Sequence, residues 1–117
     1  MKEIQELIKT FKEDRPTMKE ANTPHFIFTL LLLEVQELLE AIETADSDEI
    51  EHELADVLFL VLEMANCYEI DAEEAVKTKA ARNVLKYQWQ DFQDGNYLEA
   101  VQKSKSRWNG GDIEFYS

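Results

Sequence analysis

The sequence predicts an all-α fold: an antiparallel helical bundle of four to five helices per chain, completed by dimerisation. Three observations carry this. Glycine and proline are scarce, 3 and 2 in 117 residues, which leaves too few turn residues for a β-rich chain. Apolar residues recur at spacings of three and four along most of the chain, the period of an amphipathic helix. One predicted helix is apolar on every side from Val57 to Leu62. Such a segment must be covered all round, which two long core helices of one chain do not provide, so a second copy is expected to complete the bundle.

The first helix is predicted from about Lys2 to Asp14, with Ile4, Leu7, Ile8 and Phe11 as its apolar stripe, and Arg15-Pro16-Thr17 breaks it. Thr23 then supplies an N-cap and Pro24 the first position of a second helix that runs to about Ala45. The third starts at Asp46 or Ser47, where Asp46 and Glu49 fit a capping box, and reaches about Tyr68. Asp71, with Glu74 three residues on, opens a fourth that extends to about Gln90. Asp94-Gly95-Asn96 reads as a turn, Tyr97 to about Trp108 as a fifth helix, and Asn109-Gly110-Gly111 as its stop. With short connections and no repeat, residues 1–117 read as a single domain, with 91–117 as a C-terminal helix and arm.

Composition excludes several functions. Twelve basic residues against 25 acidic give a formal charge of −13, which argues against nucleic acid or an anionic membrane as partner. A hydrophobic content of 44% is too high for an acidic disordered chain. The single Cys67 permits no internal disulfide and suits a small buried side chain. The longest apolar run, Phe26 to Leu33, is too short to span a bilayer, and the charged first helix is unlike a secretory leader. A cytoplasmic protein is expected. The charge is also uneven: from Glu34 to Glu74 there are fifteen acidic residues and no Lys or Arg, whereas Lys77 to Arg107 holds seven basic ones. That polarity suits a metal on one side and phosphates on the other, although charge alone better fits a solvated helix surface.

Two carboxylate pairs stand out, Glu34-Val35-Gln36-Glu37 and Glu53-Leu54-Ala55-Asp56. On a helical wheel Thr29, Gln36, Glu40 and Glu43 form the wet face of the second helix, while Glu34 and Glu37 share the opposite arc with Ile27, Leu30, Leu38 and Ala41. Glu53 and Asp56 border the stripe made by Ile50, Val57, Val61 and Met64. Ionised carboxylates off the wet face are costly and repel one another. A divalent cation relieves both problems, and an all-oxygen ligand set favours Mg²⁺, with Mn²⁺ as the alternative, over zinc. An exposed helix seam or an interface salt-bridge set would accommodate the same four acids.

The fourth helix carries Lys79 and Asn83 four residues apart on one face, and Tyr87 continues that line. A lysine can neutralise phosphate, an asparagine can fix a sugar hydroxyl or phosphate, and an aromatic ring can meet a base; a solvated basic helix has the same pattern. His25 and Phe26 are also within reach of a base, although His25 fits a helix-start surface position better. His52 falls on the wet side of the third helix, and Trp89 and Trp108 read as packing anchors.

The order of these motifs is an apolar run, Glu-x-x-Glu, an acidic spacer, Glu-x-x-Asp, a second apolar run and a capped helix bearing Lys-x-x-x-Asn. It resembles the MazG-like branch of the all-α nucleoside triphosphate pyrophosphohydrolases. The likeness covers roughly residues 22 to 88 and is closest in Glu53-Leu54-Ala55-Asp56-Val57-Leu58-Phe59 and Ile70-Asp71-Ala72-Glu73-Glu74-Ala75. It implies Mg²⁺-dependent hydrolysis of a (deoxy)nucleoside triphosphate to monophosphate and pyrophosphate, as in nucleotide-pool house-cleaning, and a homodimer or dimer of dimers. Carried over by motif, Glu34, Glu37, Glu53 and Asp56 become metal ligands, and Lys79 and Asn83 substrate contacts. Either Glu34 or Glu37 would activate the water. Residues 91–117, with the aromatic pair Phe115-Tyr116, depart from a minimal family member, and no role carries over to them. Two other readings stand beside this one: a relative specific for dUTP, dCTP or a phosphoribosyl-nucleotide, and a non-enzymatic acidic interaction module.

Overall fold

A computed structural model describes residues 1–15, 23–93 and 95–111, the side chains of 109–111 excepted. The described residues are helical, with no strand among them: α1 (Lys2–Glu13), α2 (Pro24–Thr44), α3 (Ser47–Cys67), α4 (Ala72–Lys86), a 3₁₀ turn (Trp89–Phe92) and α5 (Tyr97–Gly111). They form two compact units, Met1–Glu73 and Glu74–Ser117. The predicted all-α class is thereby observed. No helix of the described residues is long and apolar enough to cross a membrane.

The first unit is built on the α2–α3 hairpin. Thr23 caps α2 by accepting a hydrogen bond from the Phe26 amide at 3.2 Å, and Pro24 occupies the first turn. Asp46 caps α3 by accepting from the amides of Asp48 and Glu49. Only Ala45 and Asp46 separate the two helices, so they must run antiparallel where they pack. Ala45 makes the reversal in the left-handed region, at φ 57, a conformation that L-residues other than glycine and asparagine rarely adopt.

The buried face of α2 passes through Ile27 and Ala41, with Leu30, Leu31, Glu34 and Leu38 half-buried along it. The expected wet face, Thr29, Gln36, Glu40 and Glu43, is exposed. On α3 the buried residues are Glu53, Leu60, Leu62 and Glu63. This corrects the expected stripe: Val61 is exposed, and Glu53 lies on the buried line with Leu60 and Glu63 and not at its edge.

α1 lies against α3 on a face rotated from the expected stripe. Ile8 is buried and Phe11 half-buried, meeting Phe59 edge-on at 5.9 Å between ring centroids, but Ile4 and Leu7 are exposed. The buried partner of Ile8 is Gln5, whose polarity concealed the face. Its Nε2 donates to Asn66 Oδ1 at 3.1 Å and to the Ile70 carbonyl at 2.8 Å, and its Oε1 accepts from the Ala72 amide at 3.0 Å. One side chain of α1 thus holds the end of α3 and the first amide of α4, where helix amides lack partners of their own. A second tie is the Lys12–Glu63 ion pair at 3.1 Å, with side chains only 12% and 8% exposed.

In the second unit α4 ends at Lys86 and not near Gln90, and the chain turns through Trp89–Phe92 before Gly95, at φ +80, leads into α5. Asp91 and Ser104 are buried there; Ser104 Oγ donates to Asp91 Oδ2 at 2.7 Å, and Arg107 pairs with the same oxygen at 2.6 Å. Trp89 is exposed, which removes it as a packing anchor, and Trp108 is half-buried. α5 runs through Asn109 to Gly111, past its expected stop. Pro16-Thr17, Asp94 and the arm Phe115-Tyr116 lie outside the described residues.

Candidate metal centre

The α2–α3 hairpin brings the two carboxylate pairs together. Glu34 lies on the inward face of α2 between Leu30 and Leu38, one turn from each, but Glu37, expected on the same arc, is exposed on its flank, because three residues turn it about 60° away from Glu34. Because α3 returns antiparallel, Glu53 reaches the same level from the opposite side. Carboxylate oxygens of Glu34, Glu37 and Glu53 lie within 4.8 Å of one another. Asp56, half-buried, belongs to a second group with Glu53 and His52, whose ligand atoms are equally close. Glu53 is common to both groups.

The surroundings of these acids are unusual for ionised groups. Glu53 is 8% exposed, and Oε2 of Glu53 and Oε2 of Glu34 are buried with no hydrogen-bond partner. An unpartnered buried carboxylate oxygen loses its hydration without replacement. Burial, followed by the neighbouring carboxyls of Glu53 and Glu37 and the charge of Asp56, raises the pKa of Glu34 to about 7. Proximity of like charge and desolvation act in the same direction.

Oxygen donors clustered at this spacing, two of them orphaned, fit a hard divalent cation. Glu34, Glu37, Glu53 and Asp56 are the residues that could hold it. His52 was missed as part of this cluster. It is exposed, as expected of the wet side, yet its Nε2 lies 3.5 Å from Asp56 Oδ2 one turn along. The four-residue spacing from His52 to Asp56 was the available signal, since it stacks the two side chains.

The remaining candidates belong to the second unit. Lys79 is exposed and Asn83 half-buried on one face of α4. Tyr87 follows the end of α4, with its amide bonded to the Asn83 carbonyl at 2.9 Å. Its ring meets Phe92 at 6.4 Å, Phe92 in turn meets Tyr97 at 5.7 Å, and Lys86 Nζ sits 5.3 Å from the Tyr87 ring centre. These contacts give Tyr87 a packing role within its own unit. At the start of α2, His25 and Phe26 are both exposed.

The family model of the MazG nucleotide pyrophosphohydrolase domain matches residues 22–89. That span includes both carboxylate pairs, Lys79, Asn83 and Tyr87. Comparisons with curated proteins and with solved structures return no significant match.

Proposed function

This chain belongs to the MazG nucleotide pyrophosphohydrolase family, and from that premise we propose that it hydrolyses a (deoxy)nucleoside triphosphate to the monophosphate and pyrophosphate with Mg²⁺. The observation that carries the reading is the pair of buried, unpartnered oxygens, Glu34 Oε2 and Glu53 Oε2, inside a cluster of four acids. A bound cation would replace the hydration that these oxygens have lost.

Glu34, Glu37, Glu53 and Asp56 are assigned to hold the cation. When bound, Mg²⁺ supplies positive charge to the phosphate oxygens and makes the α-phosphorus more electrophilic. Glu34 or Glu37 accepts a proton from the attacking water. The water oxygen bonds to the α-phosphorus, the bridging oxygen departs with pyrophosphate, and the monophosphate remains. Lys79 and Asn83 are assigned by their match to the family motif to phosphate and sugar. Tyr87 is the weaker of the three substrate candidates, since its ring is engaged with Phe92.

A homodimer is part of the proposal. Leu32, Leu33, Leu39, Leu54 and Leu58 are exposed on α2 and α3, and apolar area of that extent is rare on a monomer's surface. A second copy laid on these faces would complete the bundle.

The test is a panel of ribo- and deoxyribonucleoside triphosphates with Mg²⁺ or Mn²⁺, read by pyrophosphate release. Release from at least one nucleotide, abolished by chelator, is expected. No release from any nucleotide, together with no stabilisation by either cation, would remove the enzymatic reading and leave the acidic interaction module.

A further inference from the structure

We propose that a cavity between α1, α2 and α3, walled by Phe11, Phe26, Leu30 and Phe59, receives the base of the nucleotide, and that the Lys12–Glu63 pair in its wall selects which base. The inference rests on the nucleotide hydrolysis proposed above and concerns the next level of the α2–α3 hairpin.

Position is the first argument. Leu30 precedes Glu34 by one turn of α2, and Phe59 follows Asp56 by three residues of α3, so cavity and carboxylates occupy successive levels of the α2–α3 hairpin. The step between levels is about 6 Å along the helix axes. A sugar bridges a step of this kind between an α-phosphate held at the carboxylates and a base.

Size and lining are the second. The cavity measures about 210 Å³, below the roughly 300 Å³ at which pockets begin to house whole drug-sized ligands. It therefore suits a ring system and not a complete nucleotide. Phe11 and Phe59 meet edge-on, and Phe26 is half-exposed at the start of α2. Aromatic faces accept any base by stacking, with little regard to its identity.

Identity would come from the third element. Lys12 Nζ donates to Glu63 Oε2 at 3.1 Å in the wall of this apolar cavity, with both side chains nearly buried. A buried ion pair adds little over a well-packed apolar pair, because its attraction must first offset the desolvation of two charges. Its place beside a ring-sized cavity provides a different reason for it. A carboxylate only accepts and an ammonium only donates; adenine and cytosine carry an amino donor beside a ring-nitrogen acceptor, guanine and thymine a carbonyl acceptor beside an imino donor, so the fixed order of Glu63 and Lys12 along the edge admits one of these two classes. The wrong edge would leave a buried group unpaired, the strongest form of rejection available to a small pocket.

Two variants of the full chain test this. Lys12→Met/Glu63→Leu removes the charges together and so avoids stranding one of them. Leu30→Trp fills the cavity. Both should keep the parent's helical circular dichroism. Binding is measured calorimetrically with Mg²⁺ for the four common deoxynucleoside monophosphates and for inorganic tripolyphosphate, which has no base, and kcat/KM is measured for the matching triphosphates. The double variant should lose at least tenfold of the parent's preference among bases in both measurements. Leu30→Trp should bind every nucleotide at least tenfold more weakly, with tripolyphosphate affinity unchanged. A parent indifferent to the base, a double variant with the parent's preference, or a Leu30→Trp chain that binds nucleotides as the parent does overturns the assignment while leaving hydrolysis standing. If no nucleotide releases pyrophosphate and tripolyphosphate does not bind, hydrolysis itself fails and the base site fails with it.

Discussion

Oε2 of Glu34 and Oε2 of Glu53 approach from opposite helices of one hairpin, and both are buried without a hydrogen-bond partner. In a fold whose net stability is a small difference between large terms, such a pair works against folding unless something binds there. Sites arranged for a ligand commonly carry this kind of local cost.

Glu53→Gln should therefore separate stability from turnover. It removes one charge from the cluster, so the cation-free protein should melt at a higher temperature than the parent. It also removes a carboxylate common to both ligand groups, so pyrophosphate release should fall at least 100-fold and the rise in melting temperature on adding Mg²⁺ should disappear. Thermal melts with chelator and with Mg²⁺, beside a pyrophosphate assay, read all three. A variant with parental turnover would remove Glu53 from the centre.

The pKa of Glu34 sets a pH dependence whose sign is fixed. Its folded value is raised from 4.5 to about 7, so the folded state holds this proton more tightly than the unfolded chain. The resulting stability is complete below about pH 4.5 and is lost as pH rises through about 7. In chelator, the melting temperature should fall between pH 5 and pH 8, at about 4 °C per kcal/mol lost. Saturating Mg²⁺ should flatten the slope, because a bound cation favours the carboxylate, and Glu34→Gln should abolish it. An unchanged slope in that variant would assign the titration to another group.

Some of this was legible in the sequence and some was not, for physical reasons. Thr23-Pro24 and Asp46 fixed the starts of α2 and α3 because capping is local chemistry between neighbours in the chain. The four acids were visible because they interrupt or border apolar runs. The face of α1 was misjudged because Gln5, a polar residue, is buried by partners more than sixty positions away, and no periodicity reports such a bond. The burial of Glu53 was understated for the same reason: the line it shares with Glu63 is polar at both ends, and Glu63 is answered by Lys12 from another helix. Tyr87 looked like a continuation of the Lys79–Asn83 face until the chain turned at Lys86 and placed its ring against Phe92.

Ala45 offers a stability gain away from the site. At φ 57 and ψ 31 it ends α2 in a left-handed conformation, which costs a residue with a Cβ about 1–2 kcal/mol. Glycine avoids that cost and adds some backbone entropy to the unfolded chain, about 0.4–1 kcal/mol. Ala45→Gly should stabilise the protein by about 0.5–1 kcal/mol by chemical denaturation, with nucleotide turnover unchanged. Ala45→Val, β-branched at the same φ, should destabilise it. A loss on glycine substitution would mean that the reversal takes another conformation in solution.

The second unit has its own electrostatic anchor. The Ser104 hydroxyl bonds Asp91, and the Arg107 guanidinium pairs with it; together they hold the Asp91 carboxyl below its ordinary value, although burial pulls the other way. A depressed carboxyl contributes stability above its unfolded pKa and loses it as pH falls through the folded value. Arg107 also donates to the Lys86 carbonyl at 2.8 Å, so the same side chain ties α5 to the end of α4. Asp91→Asn keeps a hydrogen-bonding oxygen but removes the charge that holds Arg107. It should raise amide hydrogen exchange in Trp89–Phe92 and along α5 at pH 7 while leaving the α2–α3 hairpin protected as in the parent. Below the folded pKa of Asp91, parent and variant should converge, since the parent's carboxyl is then neutral as well. Equal exchange in the two proteins at pH 7 would show that Ser104 and the packing around it hold this unit without the charge.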